Sequence, residues 1–266
     1  MAADPAQSLH ALGPRRRSTE RLAKETVAQT GGRHPTDVTK PSTIAVMAET
    51  GYSIRYREYV EAIWELEEEG IEPIQARIAD WLGVSRASVS EMVQKMKVEG
   101  LVDADPEVRL TPAGRHLAEV VVRRHRLAER FLVEVLRLPW AKVHAEAEVW
   151  ETTISDDVEE AMWAVMDNPK TCPHGNPIPG ARYKPPLMKP MADMATGESR
   201  RLERISEELE LDVEMMAYLD ESALRPGADV VVERVDPHGA LTVLIDGEKR
   251  AGIGAFAAAR LFVEAG

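Results

Sequence analysis

The chain has 266 residues, room for more than one domain of roughly 100–200 residues. It is 44% hydrophobic but only 5% aromatic, which favours cores of packed aliphatic helices. Its one cysteine, Cys172, excludes an intrachain disulfide. No run approaches the roughly 20 apolar residues of a membrane span, so a cytoplasmic protein without a membrane partner is expected. The formal net charge of −12 argues against non-specific nucleic-acid binding, which depends on Lys and Arg neutralising phosphates. It leaves room for a reader whose basic residues gather on one face.

Residues 1–50 are rich in Ala, Thr, Pro, Gly and charge and are expected to be disordered, with Met47 offering an alternative start. Tyr59, Ile63, Leu66 and Ile71 then mark one face of a first helix over Ile54 to Glu69, ended by Gly70. A short helix, Gln75 to Leu82, stops at Gly83. Ser85 caps a third, which turns Val89, Met92, Val93 and Met96 inward and ends at Gly100. Leu101-Val102 and Val108-Arg109-Leu110 flank an acidic turn. Residues 51–120 therefore read as a winged helix-turn-helix.

Thr111-Pro112 opens a long helix expected to run to Leu138, where Pro139 breaks it. Further helices are expected over Ala141 to Thr153 and, capped by Ser155, over Val158 to Met166. Val133, Leu136, Val149, Trp150, Met162 and Trp163 exceed what so short a helical unit buries alone, so residues 121–168 are expected to dimerise. The prolines of residues 169–198 predict a linker without regular structure. A helix over Glu198 to Leu219 is expected next. Strands at Asp229–Glu233, Leu241–Ile245 and Arg260–Glu264 then suggest a small SH3-like β-barrel closing a domain over residues 199–266. The fold class is mainly α with that β domain appended.

Two clusters of carboxylates and histidines follow the helix-turn-helix at helical spacing: His125-x-x-x-Glu129, and His144-x-Glu146-x-Glu148-x-x-Glu151. Glu58 and Glu61, at i, i+3, share a face of the first helix, an arrangement that by itself describes an ordinary solvated surface. No His-Glu-x-x-His pattern, nucleophile elbow or phosphate loop accompanies them, which disfavours a metal-dependent hydrolase. A switch is the better reading than an enzyme, and no small organic substrate is expected.

Glu65-Leu-Glu-Glu-Glu-Gly70, His125-Arg-Leu-Ala-Glu-Arg130, Lys142-Val-His144-x-Glu146-Ala147 and Gly175-Asn-Pro-Ile-Pro-Gly180 resemble the diphtheria-toxin-repressor family of metal-dependent repressors over about residues 52–182. The tail resembles, more weakly, the SH3-like (FeoA-like) third domain of the iron-responsive branch. The resemblance implies a homodimer that binds double-stranded operator DNA with a divalent metal as corepressor. It implies a primary site of Glu58, Glu61, Glu148 and Glu151, and an ancillary site of His125, Glu129 and His144. Glu207 and Glu210 are candidates to complete the latter. His125 is open to either site. Thr152 stands where the family places a His ligand, which weakens the primary site or leaves water or Glu61 to fill the position. Where the iron branch has Cys this chain has Glu148, so the oxygen-rich set points to Mn²⁺ first and Fe²⁺ second. Cys172-Pro-His174 reads as structural.

For the DNA, Ser85, Arg86, Ser88, Ser90 and Glu91 open the recognition helix, with Arg77, Lys95 and Lys97 toward the backbone and Arg109 on the wing. The family often carries Gln where this chain has Glu91, a group that accepts from a cytosine amino group and repels phosphate. Two other readings compete with this one: a winged-helix regulator indifferent to metal, and a protein-interaction module built on the SH3-like tail.

Overall fold

The computed structural model describes residues 54–104 and 107–266, so the expected disorder of residues 1–50 lies outside the described residues. Helix α1 (Ile54–Glu68) buries Tyr59, Val60, Ile63 and Leu66, which recur at helical spacing. Helices α2 (Gln75–Trp81) and α3 (Arg86–Val98) follow, with Gly83 in the left-handed region between them at φ +64°. Ser85 caps α3 by accepting from the Ser88 amide. Strands β1 (Val102–Ala104) and β2 (Val108–Leu110) pair antiparallel as the wing. One apolar core, from Tyr59 to Val121, unites these elements.

Thr111 caps α4 (Pro112–Glu134) by accepting from the Gly114 amide. The N-terminal half of α4 contributes Leu117 and Val121 to the winged-helix core. Its C-terminal half gives Leu127 and Leu132 to a second core, so one continuous helix ties the two together. The helix ends at Glu134, earlier than the expected Leu138, because Arg137 takes a φ of +59° and turns the chain before Pro139 is reached. A 3₁₀ turn at Trp140–Lys142 leads into α5 (Val143–Glu151) and α6 (Asp156–Val165), the latter capped by Ser155.

The third unit comprises β3 (Met188–Pro190), β4 (Ser199–Ile205), α7 (Glu207–Glu210), α8 (Val213–Glu221), β5 (Asp229–Val235), β6 (Leu241–Ile245), β7 (Lys249–Ile253), α9 (Ala255–Ala258) and β8 (Leu261–Glu264). Its six strands run in the order β3-β8-β4-β5-β6-β7. Trp140, from the helical unit, is part of its core and so docks it there.

Two expectations fail here. The helix expected over Glu198 to Leu219 is instead strand β4 followed by two short helices. Arg200, Arg201 and Glu203 favour helix locally, but β4 pairs with β5 on one side and β8 on the other and buries Leu202 and Ile205. The expected linker also has structure: β3 lies within it, and a tight turn holds Cys172, His174, Asn176 and Ile178 in the interior. Prolines exclude helix there, but the remaining amides close the turn, with Cys172 bonded to the Asn176 carbonyl and Ile178 to that of Lys170. Gly175 has φ +91°, and a Cβ there would sit 2.1 Å from the Glu203 carbonyl oxygen.

Candidate metal centre and nucleic-acid interface

Helices α1, α4 and α5 enclose a cavity of about 460 Å³, which α7 and the α2–α3 turn also line. Glu58 and Glu61 reach it from α1, His125 from α4, and His144, Glu148 and Glu151 from α5, while Glu207 projects from α7. Glu61, His125 and Glu151 present ligand atoms that all lie within 4.8 Å of one another. The His125 Nδ1 stands 2.7 Å from Glu151 Oε2 and 3.9 Å from Glu61 Oε1. Glu58 and Glu148 are exposed and line the cavity without joining that trio. Burial, then the Glu151 charge, raise the Glu61 carboxyl well above the ordinary range.

A second cluster lies deeper. Glu129, Cys172 and His174 are buried with ligand atoms within 4.8 Å of one another. His174 Nδ1 stands 2.6 Å from Glu210 Oε2 and 3.5 Å from Glu129 Oε1. His144 joins the clusters: its Nδ1 is 3.7 Å from Glu129 and 3.9 Å from Glu210, and its Nε2 is 3.6 Å from Glu148. Burial opposes a charged His174, but the Glu129 carboxylate outweighs it and raises the imidazole to about 10. Burial and Glu129 raise Glu210 as well, and burial pushes the Cys172 thiol up to about 12. Glu129 is itself held low, against its burial, by His174 and His125.

These side chains fit a divalent cation on one observation. Both Glu129 oxygens, His174 Nε2, His144 Nδ1, His125 Nε2, Glu61 Oε1 and Glu207 Oε2 are buried without a hydrogen-bond partner. Buried polar atoms are ordinarily satisfied, so this concentration of orphans in one region suits ligands awaiting an ion. The spacings of 2.6 to 3.9 Å bracket the roughly 3 Å between neighbouring ligands at about 2.1 Å from one octahedral ion.

Of the residues expected from sequence, the structure brings Glu61 and Glu151 together with His125, which the resemblance assigned to the ancillary site and left open to the primary one; it also gathers His125, Glu129 and His144, with Glu207 and Glu210 beside His144. Sequence reading sets Cys172 and His174 aside because a Pro-rich loop with one cysteine lacks the usual zinc pattern. Their Cys-x-His spacing was the available signal. Glu65 was also missed. It lines the cavity, accepts from Trp81 Nε1 at 2.9 Å, and is raised to about 8 by burial and the Glu207 charge. Glu207 is partly engaged elsewhere, since its Oε1 takes two bonds from Arg126 at 2.7 and 3.1 Å.

In the winged-helix unit, Arg77, Ser85, Arg86, Ser88, Ser90, Glu91, Lys95, Lys97 and Arg109 are all exposed. Glu91 pairs with Lys95 at 2.7 Å, and Arg109 pairs with Glu107 on the wing. Exposed serines at the start of α3 leave its first turn open to close approach.

Comparison with known proteins agrees with this architecture. Residues 53–109 match the family described as iron dependent repressor, N-terminal DNA binding domain. Residues 111–180 match its metal binding and dimerisation domain, and residues 189–265 match the FeoA domain. The chain is 40% identical over 204 residues to the iron-dependent repressor IdeR of Mycobacterium tuberculosis, covering 72% of this chain and 88% of that protein. It is 38% identical over 202 residues to the diphtheria toxin repressor of Corynebacterium diphtheriae, covering 71% and 88%. Among solved structures, a manganese-dependent transcriptional repressor in complex with manganese superposes with a TM-score of 0.69 at 33% identity, covering 78% of this chain and 98% of that one. Among the described residues no helix is long and apolar enough to cross a membrane. The relatives are transcriptional repressors rather than enzymes, and the chain belongs to the diphtheria-toxin-repressor family of metal-dependent transcriptional regulators.

Proposed function

We propose that this protein represses genes of metal-ion homeostasis by binding a two-fold operator as a homodimer, with Mn²⁺ ahead of Fe²⁺ as its corepressor. The observation that carries this reading is the meeting of α1 carboxylates with α4 and α5 ligands across one cavity, directly behind the helix-turn-helix. Glu61 belongs to the DNA-reading unit, whereas His125 and Glu151 belong to the helices behind it. When ionised and unneutralised, Glu61 and Glu151 repel across the cavity and favour its opening. A bound divalent ion supplies the opposing charge and favours the closed arrangement.

Glu58, Glu61, Glu148, Glu151 and His125 would hold the cavity ion, with no imidazole at Thr152. Glu129, His144, Cys172, His174 and Glu210 would hold the deeper one. The oxygen-rich cavity set supports Mn²⁺, while Cys172 gives the deeper set one softer donor that suits Fe²⁺. Exposed Leu136, Val149, Val158 and Val165 on and beside α4 to α6 support self-association through these helices. Arg77, Arg86, Lys95, Lys97 and Arg109 would contact phosphates, and Ser85, Ser88, Ser90 and Glu91 base edges or backbone. Glu91 would favour cytosine.

Glu151→Gln tests the assignment. The variant should lose metal-dependent operator binding in a gel shift yet sediment as the same dimer. A normal metal response in that variant refutes the site.

A further inference from the structure

Two buried arginines join the third domain to the end of α1. Arg204 on β4 is 7% exposed and forks onto the Glu69 carboxylate at 3.1 and 3.2 Å. The same guanidinium lies 3.4 Å from Asn176 Oδ1 and 4.3 Å from the Phe262 ring centroid. Asn176 is fully enclosed and donates through Nδ2 to Glu210 Oε1 at 2.7 Å and to the Ile205 carbonyl at 3.1 Å. The other oxygen of Glu210 is the one facing His174. Arg126 makes a parallel connection, from Glu207 to Glu68 at 2.5 Å, and also donates to the Pro177 carbonyl at 2.6 Å.

We propose that Arg204, acting through Asn176, is a positioning residue that couples the state of Glu210 to Glu69 and hence to the orientation of α1. The proposal rests on the reading that Glu210 belongs to a metal-binding cluster. The amide of Asn176 is oriented by three partners, two acceptors on Nδ2 and a cation on Oδ1, so reversing it would break all three interactions. A change in how Glu210 is engaged therefore changes how Arg204 divides its donors between Asn176 and Glu69. Glu69 directly follows α1, the helix that carries Glu58, Glu61 and Glu65 to the cavity and whose Glu65 bonds Trp81 of the helix-turn-helix. The third domain thus acts on DNA reading from the end of α1 remote from Glu58 and Glu61. Arg126 offers a poorer test, because its removal strands Glu207 in the core.

The experiment uses the full chain, Mn²⁺ as probe, and the double variant Arg204→Met with Glu69→Met, which removes both buried charges together. The charge-exchange variant Arg204→Glu with Glu69→Arg serves as rescue. Mn²⁺ affinity is measured without DNA by chelator competition, and operator affinity is measured in saturating Mn²⁺ and in chelator. Allosteric couplings between sites are typically about 5–150-fold. The double variant should keep Mn²⁺ affinity within about threefold of the unaltered protein while the metal-dependent ratio of operator affinities falls about tenfold, and the exchanged pair should regain most of it. An unchanged ratio overturns the relay. So does a loss of Mn²⁺ affinity large enough to explain the fall, because Arg204 would then merely support the site. If the double variant does not fold, the exchanged pair decides: a ratio near that of the unaltered protein supports the relay, and a collapsed ratio with normal Mn²⁺ affinity overturns pairing as its basis. Absence of any metal-dependent ratio in the unaltered protein would instead sink the metal-regulator reading, and the relay with it.

Discussion

His174 and Glu210 face each other at 2.6 Å in the interior, the imidazole held protonated by the neighbouring Glu129 against its burial, and the carboxyl raised by burial and by Glu129. Metal ligands must be deprotonated, yet at neutral pH His174 holds its proton and the Glu210 carboxyl is harder to ionise than an ordinary one. Ion binding here should therefore release protons, and affinity should rise with pH by about tenfold per unit for each proton displaced. Chelator competition for Mn²⁺ between about pH 6.5 and 8 checks this, and a flat profile would place the ion elsewhere. Cys172 offers a second test at this scale, because its thiol is costly to ionise without a cation beside it. Cys172→Ser should weaken binding of Zn²⁺ and Fe²⁺ by more than tenfold while changing Mn²⁺ by roughly threefold, the difference expected when a soft donor becomes a hard one. Equal losses for all three ions in the same competition assay would argue that the thiol only packs.

The elements explain why these residues meet. Helix α4 was readable from its Thr-Pro start and its His-x-x-x-Glu spacing, because 3.6-residue periodicity places such pairs on one face whatever the tertiary context. Strand β4 was not, since Ser199 to Ile205 is locally helical in preference and becomes a strand only through pairing with β5 and β8. The loop of Cys172 and His174 was hidden for a similar reason. Prolines in sequence exclude helix but do not reveal that the turn is buried between units, where its donors face Glu129 and Glu210. Gly175 makes that burial possible. Gly175→Ala, with its Cβ driven into the Glu203 carbonyl and φ in the left-handed region, should cost about 1–3 kcal/mol in thermal unfolding and weaken the deeper metal site. A variant with unchanged melting and unchanged metal affinity would show that the loop adjusts freely.

Across the whole molecule, the three apolar cores are joined by shared parts. Helix α4 spans the winged-helix and helical cores, and Trp140 anchors the third domain to the second. The candidate ligands come from every unit: Glu61 from the first, His125 and Glu151 from the second, and His174 and Glu210 from the turn and the third domain. Such a distribution makes ion binding and inter-domain geometry one equilibrium, in which the ion favours whichever arrangement brings the carboxylates together. Net charge of −12 adds to this, because self-repulsion among acids opposes the closed arrangement and DNA alike until cations intervene. Operator affinity should consequently follow metal occupancy. The most direct measurement is a gel shift of the metal-stripped protein on its own promoter region, with Mn²⁺, Fe²⁺ (anaerobically) and Zn²⁺ each titrated at buffered free concentration. No shift is expected in chelator, and one should appear with metal, at the lowest free concentration for the physiological ion. Equal binding in chelator would contradict this, showing that the clustered carboxylates and histidines do not govern how this protein reads DNA.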